Sequence, residues 1–349
     1  MTLLNYLDKY GNKSFLEYKF NNVDNLILSQ LSYLSFSGIV PSLYEKGIRL
    51  DEACEKYFQK FSMNDINHSW YLIPKISNLL KRMSDCDRYK DAILYNYVNL
   101  IDKHGQFGAL CIRLNDDSVY VSYEGTDDTM VGWKEDFEMA CSYPVSSQKY
   151  AVMYLNRAIK FSDLVVRVGG HSKGGNLAVC AVMNCHFYIR NKIIEIYNDD
   201  GPGFLRQQVI SSKYKKIAAK IKMFIPKQSI VGILMYHNTN YKVIRSSGFG
   251  ILAHDVFNWQ VNDNDFVYDE LSGRSIKLQK NINKYLDKLS VAERRKVVES
   301  LFSIFEDNNI KLTSEIKFNK MLDMFKSLVN LDKEVRKEIY ELLKIIILK

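Results

Sequence analysis

The sequence is poor in the features that mark secreted, metal-dependent or membrane-spanning proteins. Its opening, Met1-Thr2-Leu3-Leu4-Asn5-Tyr6-Leu7-Asp8, has no basic stretch followed by an apolar one, so no secretory signal is expected. No apolar run reaches the ~18 residues that a spanning helix needs. Six cysteines (Cys54, Cys86, Cys111, Cys141, Cys180, Cys185) stand at irregular spacings, several inside apolar runs. They read as reduced packing residues of a cytoplasmic protein rather than a disulfide frame. Neither C-x-x-C nor H-E-x-x-H occurs, so neither zinc nor another cofactor is expected. There is no internal repeat and no low-complexity segment. Charge of one sign is also scarce: Lys+Arg 48 against Asp+Glu 40 leaves a net +8. That dispersed excess argues against a nucleic-acid partner and leaves only weak attraction to an anionic surface or substrate.

What is present is enough apolar residue for a large core, 47% of 349 residues. Residues 1–105 read as a mainly helical segment packed on the core. Asn22-Val23-Asp24-Asn25 caps a helix through Leu26, Ile27, Leu31 and Leu34, and a last helix is expected through Ala92, Ile93, Tyr97 and Leu100. The period then changes to two. Phe107–Leu114 and Val119–Tyr123 form a hairpin around Asn115-Asp116-Asp117. From there strands (163–168, 194–197, 221–225, 241–245) alternate with helices (147–161, 173–187), which implies a largely parallel sheet covered on both faces. The core is placed at 106–261. Residues 262–349 read as a charged helical extension, with Ser290-Val291-Ala292-Glu293 as a capping box and an apolar stretch from Leu342 to Leu348. Packing on the core or on a partner is the plainer reading of that tail; peripheral membrane contact is the alternative.

Chemistry concentrates in Val165-Val166-Arg167-Val168-Gly169-Gly170-His171-Ser172-Lys173-Gly174-Gly175-Asn176-Leu177-Ala178. An apolar strand, a glycine-flanked serine and a helix-forming run make the G-x-S-x-G nucleophile elbow. A serine held in so tight a turn leaves no room for side chains two residues away. The helix start adds a dipole, and the Lys173 amide can donate to a developing oxyanion. With alternating strands and helices around it, the elbow points to the α/β-hydrolase fold.

An elbow serine needs a base, and the base an orienting acid; in this fold they follow in the order Ser, Asp/Glu, His. His171 adjoins the serine and its side chain points away. His186 lies at the far end of the elbow helix. His237 precedes the last strand, whereas His254 follows it, where a loop returns to the C-terminal sheet edge; His254 is the candidate base. The acid is less simple, because Ile225-Pro226-Lys227-Gln228-Ser229 offers no carboxylate. One strand earlier stands Asn198-Asp199-Asp200-Gly201-Pro202, with Asp200 the better candidate and Asp199 the second. Glu124-Gly125-Thr126 supplies the second oxyanion donor, through the amide and the hydroxyl of Thr126.

Tyr123-Glu124-Gly125-Thr126, Trp133-Lys134-Glu135-Asp136-Phe137 and Gly170-His171-Ser172-Lys173-Gly174 stand in that order. The set resembles the fungal-type, or class three, triacylglycerol lipases. It looks closer still to a bacterial, cytoplasmic, lipase-like group of unassigned function. That group shares G-H-S-K-G-G-N-L-A, an Asp-Gly-Pro-Gly-Phe turn and a His-Asp shortly before a Trp, here His254-Asp255 and Trp259. The resemblance covers roughly residues 20–260. Two positions depart from it: the lipase oxyanion-loop arginine is Glu124, and the lipase acid position falls near Ser229.

The expected function is a serine hydrolase of small-molecule or lipid esters, acyl lipids first, acting through Ser172, His254 and Asp200 with the amides of Thr126 and Lys173. The missing acid near Ser229 keeps a second reading open, a catalytically silent hydrolase fold used for binding or scaffolding. A thioesterase or peptidase would use the same triad. Acyl length, head group and oligomeric state are not written in the sequence.

Overall fold

The computed structural model describes residues 1–43, 45–103, 105–316 and 318–347. One eight-stranded sheet runs through the protein: Ile48–Arg49 (β1), Ile93–Asp102 (β2), Gly105–Arg113 (β3), Val119–Tyr123 (β4), Val166–His171 (β5), Ile193–Asp199 (β6), Ile221–Pro226 (β7) and Tyr241–Ile244 (β8). They lie side by side in chain order. β1 to β4 pair antiparallel and β4 to β8 parallel.

That order decides how the layers are filled. Each parallel neighbour needs a crossover, and right-handed crossovers between successive neighbours put every connecting helix on the same face. Helices Ser146–Ala158, Lys173–Asn184 and Ser212–Ile217 accordingly share one core, in which Leu155, Leu177 and Ile217 join Val121, Val168 and Ile196. Alternation along the strands sends their neighbours to the opposite face. There Leu110, Ile112, Tyr120, Tyr197 and Phe224 form a second core with Leu26, Ile27, Leu31, Leu79 and Leu80 of the N-terminal segment. The N-terminal helices thus cover the face that the crossovers leave bare.

One expectation needs correcting. Ile93–Leu100 is not a helix but the long strand β2, antiparallel to β3. Its β-branched and aromatic residues suit a pleated surface. A bulge between Tyr95 and Val98, where Asn96 takes φ 56°, adds a residue and breaks the alternation. Leu100 and Ile101 are exposed on the outer half. The interrupted pattern therefore imitates a helical period.

After β8 come the short antiparallel pair Val261–Asn262 and Asp265–Phe266 and the helices Gly273–Lys288, Val291–Asp307, Phe318–Asn330 and Lys333–Ile347. The Ser290/Glu293 capping box is formed. Val298, Phe302 and Ile310 pack against Met130, Trp133 and Phe137, so this extension touches the segment that follows β4. Leu348, at the end of the apolar stretch, lies outside the described residues. No described helix is long and apolar enough to cross a membrane. The partly parallel sheet, the helices on both faces and the strand–Ser172–helix turn make the architecture that of an α/β-hydrolase.

Beneath this arrangement lies a buried ion pair. Asp24 and Arg88 have fully inaccessible side chains and meet at 2.6 Å. The Asp24 carboxylate also accepts from the hydroxyls of Tyr6 (3.0 Å) and Tyr89 (2.6 Å) and from the Asn21 amide (2.9 Å). Removing one partner strands the other charge in the core. Arg88→Met is therefore expected to cost about 3–5 kcal/mol in urea unfolding, and Asp24→Leu/Arg88→Met together less than the sum of the two single changes.

Candidate active site

The C-terminal ends of the parallel strands β4 to β8 share one sheet edge, and five loops leave the sheet there. β5 ends at His171, and Ser172 sits at φ 58°, ψ −134° before the helix that begins at Lys173. Such a backbone costs of order 1–3 kcal/mol and persists only where the surroundings enforce it. Packing enforces it here. A Cβ on Gly174 would lie 2.2 Å from the Tyr123 carbonyl oxygen, and one on Gly170 2.4 Å from the Gly174 carbonyl carbon. The end of β4 therefore rests directly on the elbow, which is only half-buried at Ser172 itself.

Asp200 follows β6 and is completely buried, with φ 52°. Its Oδ1 accepts from the Ser229 hydroxyl (2.6 Å) and the Gly232 amide (3.0 Å), and its Oδ2 meets Nδ1 of His254 at 2.6 Å. Ser229 thus donates to the carboxylate from the strand end where a lipase acid was sought. Asp199 faces the other way. Its Oδ2 accepts from Asn25 at 2.8 Å, its Oδ1 has no partner among the described residues, and burial pushes its pKa up to about 8. The structure therefore brings Asp200, not Asp199, to His254.

His254 ends a short turn that is tied down on several sides. The Trp259 indole donates to Ala253 O (2.9 Å) and Asn258 Nδ2 to Leu252 O (2.8 Å). Next to His254, Asp255 pairs with Lys75 and accepts from the Phe257 amide at 3.0 Å. His171 provides a further tie. Its Nε2 lies 2.9 Å from the His254 carbonyl oxygen and its Nδ1 3.1 Å from the Tyr33 hydroxyl. A carbonyl can only accept, so Nε2 carries the proton and Nδ1 accepts from Tyr33. Burial lowers the His171 pKa well below the usual range, consistent with that neutral form. The rings of His171 and His254 are 4.4 Å apart. His171 thus supports the loop that carries His254, a role its position beside the serine did not reveal. With Asp200 on Nδ1, Nε2 is the His254 nitrogen available for proton transfer. The Ser172 hydroxyl has no hydrogen-bond partner among the described residues, so the serine–histidine bond is not closed in this structure.

The two other candidate histidines, His237 and His186, are elsewhere. His237 lines an open cleft with Ala218, Ile221 and Asn238, at the N-terminal edge where β7 begins. His186 stacks with Tyr188 beyond the far end of the elbow helix.

The loop after β4 completes the site. Thr126 is buried, and its hydroxyl donates to Asp136, so only its amide remains for an oxyanion. Asp136, the acid of the Trp-x-x-Asp run, is held up at about 6 by burial. Glu124, in place of the lipase arginine, is folded over Gly108 and pushed up to about 8 by burial, which favours its protonated form. The nearby cation is Lys173, buried and bonded to Gln106. On the outer side Asp128 accepts from the hydroxyls of Thr313 and Ser314, and Met130 N donates to Lys311 O at 2.8 Å. None of Gln106, Ser229, Thr313 or Ser314 stands in a recognisable motif, and each was missed for that reason.

The buried acids make stability depend on pH. Asp199 and Glu124 titrate higher folded than unfolded, so the folded chain keeps protons that the unfolded chain releases. That stabilisation is complete below about pH 4 and is lost as pH rises through about 8. His171 and His237, both lowered by burial, act below about pH 6.5 and with the opposite sign. Between about pH 6.5 and 8.5 the free energy of unfolding should fall by on the order of 1–2 kcal/mol per acid, read as a lower midpoint of thermal unfolding, and Asp199→Asn with Glu124→Gln should flatten that slope.

Comparison with solved structures finds lipases. A fungal lipase–inhibitor complex described as a model for interfacial activation shares 16% identity at a TM-score of 0.35, over 48% of this chain and 69% of that one. M37 lipase shares 13% at 0.37, over 62% and 70%. The Rhizomucor miehei lipase propeptide complex shares 12% at 0.38, over 70% and 80%. No curated protein matches the chain. The pattern of the Mbeg1-like family matches residues 83–303, well over half of the sequence and the whole span from β2 through the elbow, Asp200 and His254, and the chain belongs to that family.

Proposed function

We propose that this protein is a serine hydrolase of carboxylic esters, with acyl lipids as its expected substrates. One observation carries the reading: a fully buried aspartate 2.6 Å from an imidazole nitrogen, on the sheet edge where a strained, glycine-flanked serine opens a helix. In the mechanism, His254 Nε2 takes the Ser172 proton as Oγ attacks the ester carbon. The amides of Thr126 and Lys173 donate to the oxyanion, each worth on the order of 3 kcal/mol of barrier. Asp200 accepts from Nδ1 and stabilises the imidazolium. His254 then protonates the departing alkoxide, the acyl group stays on Oγ, and water repeats the sequence to release the acid.

The preference for acyl lipids has its own support. Phe249, Ile251 and Leu252 are exposed large apolar side chains on the turn that delivers His254, a rim suited to an apolar substrate and to peripheral contact with a lipid surface. Six free cysteines, five of them buried, fit the proposed cytoplasmic location.

The unclosed Ser172–His254 bond favours a second reading, a hydrolase fold retained for binding. Unliganded hydrolases also hold such bonds loosely until substrate arrives, so chemistry has to decide. A fluorophosphonate probe should label the wild-type chain and leave Ser172→Ala unlabelled. On a panel of esters, thioesters and amides the esters should turn over fastest. Asp200→Asn should lower kcat by roughly 10³–10⁴-fold through loss of the correct tautomer. An unlabelled wild-type chain that turns over none of the panel would establish the binding reading instead.

A further inference from the structure

The two amides proposed to hold the oxyanion belong to different elements, Thr126 to the loop after β4 and Lys173 to the first turn of the elbow helix. One side chain touches both elements, at the Gly125 carbonyl oxygen and at the Lys173 ammonium. Gln106, on β3 and 1% exposed, donates from Nε2 to the Gly125 carbonyl oxygen at 3.2 Å. Its Oε1 accepts from the Lys173 ammonium at 2.5 Å, and its main-chain oxygen accepts from the same ammonium at 3.0 Å. The orientation of the amide follows from chemistry. An ammonium only donates and a carbonyl only accepts, so Oε1 must face Lys173 and Nε2 must face Gly125.

The Gly125 carbonyl and the Thr126 N–H are two ends of one peptide group. That group is planar and trans, so the oxygen and the hydrogen point in opposite directions. Anchoring the oxygen aims the hydrogen. On the other side the anchored ammonium belongs to the residue whose amide is the second donor. Lys173 is 1% exposed, and Glu135, 3.6 Å from its ammonium, stands as its counter-charge. A cation on Oε1 also polarises the amide and strengthens the bond that Nε2 donates.

We propose that Gln106 is a positioning residue for ester hydrolysis, a buried brace that holds the Thr126 and Lys173 amides in register for the oxyanion. The inference rests on the hydrolase reading. It concerns a residue that touches neither substrate nor the reacting atoms, so it works through kcat rather than through binding.

The test compares Gln106→Met, Gln106→Glu and the control Tyr154→Phe, which removes a buried hydroxyl bonded to Asn96 O (2.7 Å) away from the site. Kinetics on a soluble ester are paired with hydrogen exchange at the Thr126 peptide. Both Gln106 variants should lose about tenfold or more in kcat with KM within about twofold, and exchange at Thr126 should quicken. Tyr154→Phe should unfold at a lower temperature with kcat nearly unchanged. Should Gln106→Met not fold, Gln106→Glu decides alone, because a carboxylate still accepts from Lys173 but cannot donate to Gly125. Unchanged kcat, a loss confined to KM, or unaltered exchange at Thr126 would overturn the proposal. If the wild-type chain hydrolyses no ester, the hydrolase reading fails, and exchange at Thr126 alone then decides whether the brace exists.

Discussion

A carboxylate with no access to water must be fully paired, and Asp200 organises the site around that requirement. Burying an ionised group without partners costs several kcal/mol. Asp200 meets the cost with three: the Ser229 hydroxyl, the Gly232 amide and His254 Nδ1. The first two come from the chain beyond β7 and the third from beyond β8. A single side chain at the end of β6 therefore ties together the later loops of the sheet. It also fixes which imidazole nitrogen is left for chemistry. The His171 bond to the His254 carbonyl adds a tie from β5, so His254 is located by its neighbours on both sides.

The frame that allows this is topological. Parallel strands in chain order put all their C-terminal ends on one edge, and right-handed crossovers put all their helices on one face. The uncovered face then has to be filled from elsewhere. The N-terminal helices fill it, with the Asp24–Arg88 pair inside their own layer. The C-terminal extension has a different place. It touches the segment after Thr126 through Met130, Trp133 and Phe137 and through the bonds from Thr313 and Ser314 to Asp128. The loop that carries one proposed oxyanion donor is thus held by Gln106 within the core and by the extension outside it.

The elbow was legible because it depends on short-range sterics. Glycines two residues either side of Ser172 are required by contacts of about 2 Å with backbone, and only glycine satisfies them. The hairpin around residues 115–117 and the alternation of strands and helices were legible for the same local reason. β2 was not, because a bulge at Asn96 disturbed its period and left its outer half exposed. Gln106, Ser229 and His171 were not legible as supports either. A lone glutamine in a strand, a serine in a loop and a histidine beside a serine acquire meaning only through residues 19 to 138 positions away. The choice between Asp199 and Asp200 was a matter of strand alternation, which the turn at Asp200 interrupts with φ 52°.

The 2.6 Å contact makes Asp200 the group that sets the tautomer of His254. Nitrogen-15 NMR of histidine-labelled protein near neutral pH reads this directly. The expected result is a His254 proton on Nδ1, shifted far downfield by the short bond to Asp200, and loss of that signal in Asp200→Asn. A His254 ring protonated on Nε2, or a Nδ1 proton signal indifferent to Asp200→Asn, would contradict it.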